Sequence, residues 1–499
     1  MSPPRDEAHA VADRVVHLSP VNVPVQGARR VHRSDAVAHL TRSQRAARGK
    51  AARNEVSLQA QAMLVASDLR TDPVELLERQ ATSRVPELVP IRYGRMLASP
   101  FAFYRGAALV MAADLSGTPD SGLRVQLCGD AHMSNFGVFA SPERNLVFDL
   151  NDFDETLPGP FEWDVKRLAA SLEIAGRDNG YKRSQRREVV LSAVRSYRET
   201  IRTFAGLSHL DVWYARLDVE RALVDILPLM TPDRARRTEQ LLAKARTRTS
   251  MQAFEKMTHL VDGEARITSD PPLVVPITEL LPEEDAAQLF AQLRRLLASY
   301  VRTLPSDRRH LVKQFRMVDM ARKVVGVGSV GTRAWIMLLQ GDDQGDPLFL
   351  QAKEAEASVL EAFVGASEYA NHGARVVAGQ RLMQATSDIF LGWQRTKGVD
   401  GIERDYYVRQ LRDWKGSVLP EEMVPQGMAV YAGLCGWTLA RAHARSGDRI
   451  AIASYLGKRD TFDRAIADFA AGYANQNEKD YAALQEAAAS GRVTALTGQ

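Results

Sequence analysis

The 499-residue sequence predicts an α+β fold, with a large helical lobe and a small lobe built on an antiparallel β-sheet. Two observations carry that expectation. Three short segments rich in β-branched, aromatic and aliphatic residues follow one another across glycine-rich turns: Val324-Val325, Trp335 to Leu339 and Leu348 to Ala352. Consecutive strands joined by such turns form an antiparallel meander. The stretch from Asp164 to Tyr300 and the alanine-rich segment Asp460 to Ala488 instead read as helix, with proline-rich breaks at Leu227 to Pro232 and Asp270 to Pro282.

In chain order, the first forty or so residues read as a flexible arm. A basic helix-like segment follows, with Arg42, Arg45, Arg48, Lys50 and Arg53. It reads as a solvated face or as packing against an acidic patch, with an anionic ligand as the alternative. Arg92, Arg95 and Arg105 surround P-F-A-F-Y-R-G and read equally as substrate ligands or as cations buried against aromatic rings. A strand is expected over Arg124 to Leu127, a helix over about Gly427 to Ala444, and strands over Tyr406 to Leu411 and Arg375 to Met383. There is no internal repeat or low-complexity tract.

Composition narrows the class. A hydrophobic content of 45% in a chain of this length suffices for two or three cores. A net charge of +4 is too small to imply a nucleic-acid partner. The two cysteines, Cys128 and Cys435, lie in apolar contexts and imply a reducing compartment without disulfides. The first residues lack the apolar core of a signal peptide, and no run of about eighteen apolar residues suggests a membrane span. A cytoplasmic enzyme with no membrane partner is expected; oligomeric state is open.

The chemistry concentrates between Leu127 and Glu155. Asp130 stands five residues before Asn135, and an apolar segment from Leu146 to Phe148 leads into Asp149, Asp152 and Asp154. Phosphoryl transfer from a magnesium nucleotide needs such a set: a carboxylate to receive the hydroxyl proton, and an amide oxygen and a carboxylate to hold metal. Later, Gly326, Gly328 and Gly331 form G-x-G-x-x-G between strand-like segments, with Ser329 at the tip, and Lys353 ends the third strand. Glycines let backbone approach phosphate oxygens, and a lysine there neutralises them. A dinucleotide-binding turn would continue into a helix; here T-R-A-W-I-M-L-L continues as strand. Glu361 and Glu368 follow seven residues apart, so both face one side of an expected helix. Either could pair with Lys353, and Glu361 is preferred because it leaves two turns before the next strand.

G-D-x-H-x-x-N followed by D-F-D-E resembles the catalytic and metal loops of the aminoglycoside phosphotransferase and choline kinase branch of the protein-kinase-like fold. From about Arg45 to Tyr481 the chain also resembles a bacterial family of unknown function that carries these loops. Cys128 stands where the kinase-like motif usually has histidine. The resemblance implies Asp130 as catalytic base and Asn135 as a metal ligand. Asp152 is the preferred main metal ligand, by its Asp-Phe pair and its strand-end parity with Leu146, Phe148 and Leu150. Asp149, at the more usual distance from Asn135, remains a rival. Asp164 would brace the catalytic loop, with His132 and Asp154 as structural neighbours. The alternative for these acids is a solvated turn, with Asp164 a helix cap.

Kinase-like chains place the glycine loop before the catalytic loop; here it comes about two hundred residues later. A circularly permuted order reconciles the two. Residues 1–90 would be arm and basic segment, 91–310 the helical catalytic lobe, 311–425 the nucleotide-binding β lobe and 426–499 the completing helices. Gln410 and Leu411, at the strand leading to the hinge, would join the nucleotide site. ATP and magnesium are the implied cofactors, and an unidentified hydroxyl compound or protein the acceptor. Three other classes stay open: a non-catalytic nucleotide-binding scaffold, a nucleotidyl transferase, and a two-metal phosphoesterase using Asp130 and His132. The last also needs G-D-x-x-D and G-N-H motifs, which the sequence lacks.

Overall fold

Helices dominate the chain, and every sheet in the computed structural model is antiparallel. It describes residues 39–497 apart from 66–67, 69, 227–231, 281–295, 325, 344, 398–400, 412 and 417–418. The arm expected over the first forty residues, most of the first proline-rich break and part of the second therefore lie outside the described residues. One compact unit runs from Arg42 to Gln499. Among the described residues no helix is long and apolar enough to cross a membrane.

The helical body is organised around Phe161–Asp178, whose side chains are buried on nearly every side. Glutamate and aspartate in its first turn suit the positive end of the helix dipole. Arg183–Gly206 lies against Pro425–Ser446, and a Cβ at Gly436 would stand 2.1 Å from the Ala193 carbonyl oxygen. Only glycine lets those two backbones touch. Thr461–Ala489 closes the bundle, and Phe161, Tyr197, Tyr455 and Phe462 form an aromatic cluster at its centre. The basic segment forms the helix Arg42–Glu55 and packs on Arg449–Leu456, with Arg53 donating to the Tyr455 and Ser454 carbonyls. It belongs to the same unit as the body.

A six-stranded sheet is the second feature. Its spatial order is Gly392–Lys397, Glu403–Gln410, Pro347–Ala355, Ala334–Gln340, Arg316–Lys323 and Val274–Pro276. Strand alternation sends Val318, Ile336, Leu338 and Phe349 to one face, against Ala253, Phe254 and Ile267. Met317, Met337, Leu339 and Leu350 go to the other, against Tyr300 and Leu304. Smaller sheets pair Arg124–Leu127 with Leu157–Pro160, and Phe136–Ala140 with Leu146–Leu150.

Several sequence expectations need correction. Arg375 to Met383 is not a strand but most of the helix His372–Met383. Asn371 caps it by accepting from the Ala374 amide, and Gly379 lets it pass over Thr156. Cap and packing outweigh the strand preference of Val376-Val377. The expected helix bearing Glu361 and Glu368 shrinks to Glu361–Val364 and ends at Gly365, whose φ is 101°. The strand before the glycine turn is Arg316–Lys323, ending ahead of Val324. Lys353 lies two residues inside its strand rather than at the end. Within Asp164 to Tyr300 a hairpin, Thr258–Val261 with Glu264–Ile267, interrupts the helices.

Candidate functional site

The strand Arg124–Leu127 delivers Cys128, Gly129 and Asp130 to the edge of the helical body. Asp164 accepts from the Cys128 amide at 2.7 Å and the Gly129 amide at 3.0 Å, and His443 Nε2 lies 3.2 Å from the same carboxylate. Gly129 has φ 85°, and a Cβ there would stand 2.2 Å from the Glu155 carbonyl oxygen. Asp130 is gripped by Arg167, whose Nη2 and Nε lie 2.7 Å and 2.8 Å from Oδ1, yet 24% of its side chain stays open. Arg167 follows Asp164 by one helical turn, in W-D-V-K-R, so helix spacing was the signal that could have found it.

His132 shapes the loop through its backbone, its amide donating to the Asp130 carbonyl and its carbonyl accepting from the Asn135 amide, while its side chain makes no hydrogen bond among the described residues. Its Nε2 lies 3.8 Å from Asp130 Oδ2, and its Nδ1 is buried without a hydrogen-bond partner. Burial, helped by Arg105 and Arg167 and opposed by Asp130, pushes the imidazole down to about 4. Between pH 6.5 and 4 the unfolded chain takes up a proton there that the folded chain refuses, so stability is lost as pH falls through this window. The loss should reach on the order of 3 kcal/mol and vanish in His132→Gln. Urea unfolding at pH 7 and pH 4.5 checks it; equal acid sensitivity in both proteins would contradict a neutral, buried His132.

Asn135 is fixed by its Nδ2, which donates to the Asp130 carbonyl at 3.1 Å and the Asp152 carbonyl at 3.0 Å. That leaves Oδ1 buried with no hydrogen-bond partner. Lys353 reaches in from the central strand: its Nζ contacts Asp154, sits 3.7 Å from Asp152 and donates to Ser329 Oγ at 2.7 Å. The Tyr407 hydroxyl donates to Asp154 at 2.7 Å. Burial alone would raise the Asp152 carboxyl, but Lys353 and Arg409 outweigh it and hold it at about 2. Burial, reinforced by the Asp152 charge, pushes Asp154 up. Burial also opposes the Lys353 charge, and the two aspartates override it and keep the ammonium protonated. Asp152 is half-buried, and 41% of its side chain opens into the cleft.

Other expected site residues fall elsewhere. Asp149 is 1% exposed and turned into the body, where it pairs with Arg441 at 2.5 Å and accepts from the Ala385 amide. Glu361 does not hold Lys353; it accepts from the Ser358 amide and lies 3.9 Å from Arg375. Glu368 is exposed. The reason is the short helix: Gly365 ends it before a second glutamate can line up. Gln410 and Leu411 have their backbone amides engaged, by Asp388 at 2.5 Å and the Phe349 carbonyl at 2.9 Å.

The glycine loop lies down on the N-terminal helices. Arg95 donates to the Gly326 carbonyl, Arg84 to the Val330 carbonyl, and the Val85 amide to the Gly331 carbonyl. Gly326 and Gly331 have φ 66° and 90°, which favour glycine. A cavity of about 150 Å³ remains beneath, lined among others by Asp130, Asn135, Asp152, Asp154, Ser329 and Arg105. Tyr407, Arg409 and the half-buried Lys415, pushed down to about 7 by desolvation and Arg409, adjoin the acids. No local sequence motif marks these three.

The free Asn135 oxygen and the open Asp152 carboxylate are hard oxygen donors that suit magnesium completed by phosphate and water. Among the described residues no three or more His, Cys, Asp and Glu side chains gather as a metal cluster by themselves. Residues 84–487 match the family described as an uncharacterized protein conserved in bacteria, DUF2252. The chain belongs to this family. No curated protein matches, and no solved structure matches. The DUF2252 match begins at Arg84, on the cavity wall, and takes in Asp130, Asn135, Asp152, Ser329 and Lys353, while Gln80 and Ser83 on the same wall precede it.

Proposed function

We propose that this DUF2252 chain is an ATP- and magnesium-dependent phosphotransferase acting on a hydroxyl, on a kinase-like two-lobe fold in circularly permuted order. The observation that carries the reading is the meeting of Lys353, Asp152 and Asp154 under the glycine loop, across one cavity from Asp130 and Asn135. These residues come from segments some two hundred positions apart. Two further features support it. The glycine hairpin, the lysine strand and the last two strands lie side by side, with His372–Met383 between the third and fourth in sequence. The end of Pro425–Ser446 reaches the catalytic-loop strand, Ser446 Oγ accepting from the Gln126 amide at 3.2 Å. That is the junction a permutation requires.

In the reaction, Asp130 takes the proton of the acceptor hydroxyl, whose oxygen forms a bond to the terminal phosphorus as the nucleoside diphosphate leaves with its electron pair. Arg167 positions the Asp130 carboxylate. Lys353 and the loop amides neutralise the phosphates, for which Lys353 must exchange its present Asp154 and Ser329 partners. Asn135 and Asp152 would hold magnesium, which draws charge off the phosphate oxygens. Nucleotidyl transfer would use the same groups. The closed loop and the Lys353–Asp154 contact favour a non-catalytic scaffold as second reading.

Lys353→Met and Asp152→Asn are each expected to weaken magnesium-ATP binding about tenfold to a hundredfold, since each removes a charged contact. Titration calorimetry on folded variants reads this directly. A wild-type chain with no affinity for magnesium-ATP would end both readings.

A further inference from the structure

We propose that Arg105 is the phosphoryl-binding cation of this site, engaging the terminal phosphate of the nucleotide beside Asp130; this rests on the phosphotransferase reading. Arg105 sits in the helix Pro100–Gly106 and lines the same cavity as Asp130, Asn135 and Gly328. The glycine loop passes directly over it: a Cβ at Gly328 would stand 3.0 Å from the Arg105 carbonyl oxygen. Its field reaches both Asp130 and His132. Its backbone thus lies against the loop that would cover the donor phosphates, while the residue lines the same cavity as the carboxylate that would receive the acceptor proton. The group that must cross that space is the transferring phosphoryl, whose oxygens carry the charge of the transition state.

The second observation is what Arg105 lacks. Its Nε is buried with no acceptor, and no hydrogen bond or ion pair from its guanidinium occurs among the described residues. Other arginines of this segment differ. Arg95 donates to the Gly326 carbonyl, Arg84 to the Val330 carbonyl, and Arg92 to Gln80 and the Gly106 carbonyl. Burial pushes the Arg105 guanidinium down, with only the more distant charges of Asp130 and Glu421 opposing it. Arg105 is half-buried with its Nε enclosed, so leaving it without a partner costs part of the penalty of a buried charge, and an arriving anion relieves that cost. Arginine offers planar paired donors that match phosphate oxygens. Arg105 exchanges no atom in the reaction; it stabilises the charge on the group in flight.

The test is equilibrium binding of magnesium-ATP and magnesium-ADP to wild type and Arg105→Met. Loss of a charge-assisted contact to the terminal phosphate should lower ATP affinity about tenfold or more and leave ADP affinity nearly unchanged. Arg105→Lys should recover part of the difference. Because Met removes an unpartnered charge and no native contact, the melting temperature should stay level or rise. Should Arg105→Met not fold, Arg105→Lys carries the same ATP-to-ADP comparison. Equal losses for the two nucleotides, or none for either, overturn the proposal. So does unchanged ATP binding together with lost binding of inorganic phosphate in the presence of magnesium-ADP, which would assign Arg105 to an anionic acceptor. A wild-type chain that binds neither nucleotide overturns the phosphotransferase reading itself, a different result from wild-type binding that Arg105→Met leaves unaltered.

Discussion

Asp130→Asn is expected to lower turnover about a hundredfold or more while leaving magnesium-ATP affinity largely intact, because in the proposed reaction it removes the proton acceptor and no contact that holds the nucleotide. The asparagine amide oxygen can still accept from Arg167 Nη2 and Nε, the two contacts that hold Asp130 in place. The backbone of the loop stays pinned by Asp164, which takes the Cys128 and Gly129 amides whatever occupies position 130. With the acceptor unidentified, slow hydrolysis of ATP to water serves as the readout, alongside screens of hydroxylated metabolites. Turnover equal to wild type would remove Asp130 from the base role. Activity lost together with ATP affinity would point to a structural collapse of the loop.

Arg441→Met should cost about 3–5 kcal/mol of folding stability, the usual penalty for stranding one member of a buried ion pair. Arg441 and Asp149 are each 1% exposed, with Nη2 2.5 Å from Oδ1. Arg441 Nη1 also donates to the Met383 carbonyl and Asp149 accepts from the Ala385 amide, so the pair ties Pro425–Ser446 to Leu146–Leu150 and to the end of His372–Met383. Asp149→Leu with Arg441→Met should recover most of the loss, since a matched apolar pair leaves no charge behind. Urea midpoints of wild type and both variants measure this. The same measurement separates the two candidate metal ligands. Asp149→Asn should lower the midpoint and spare ATP binding in the folded fraction; Asp152→Asn should do the reverse. An Asp149→Asn protein of normal stability that no longer binds magnesium-ATP would make Asp149 the metal ligand.

The parts of the site that could be read from residue order share one property: each depends on neighbours close in sequence. Asp130, Asn135 and Asp152 lie on one loop-strand-loop stretch, so their spacing constrains where they can point. Gly326 and Gly331 carry a backbone demand, positive φ, that no other residue meets as cheaply. The long helices were legible because periodicity over many residues outweighs local noise. Misreadings came where a few residues carried conflicting local signals. Arg375 to Met383 contains Val376-Val377 and Leu382-Met383, which suit a strand, yet Asn371 upstream caps a helix through it. Glu361 and Glu368 share a face only on a helix that continues, and Gly365 ends that helix after one turn.

Residue order determined that one stretch holds a carboxylate, an amide and further carboxylates at fixed separations, and that a glycine turn and a lysine lie on consecutive strands. Those facts are local, set by chain connectivity and backbone geometry. Which aspartate meets Lys353 was decided only by tertiary packing. Asp149, Asp152 and Asp154 are chemically identical, and their difference lies in distant partners: Arg441 buries the first, while Lys353 and Arg409 charge the second and Tyr407 holds the third. The same holds for Arg105, whose neighbours in sequence are apolar and whose lack of a partner appears only once the glycine loop, more than two hundred residues onward, folds over it. Charges interact through space, and the chain brings them together only when it folds.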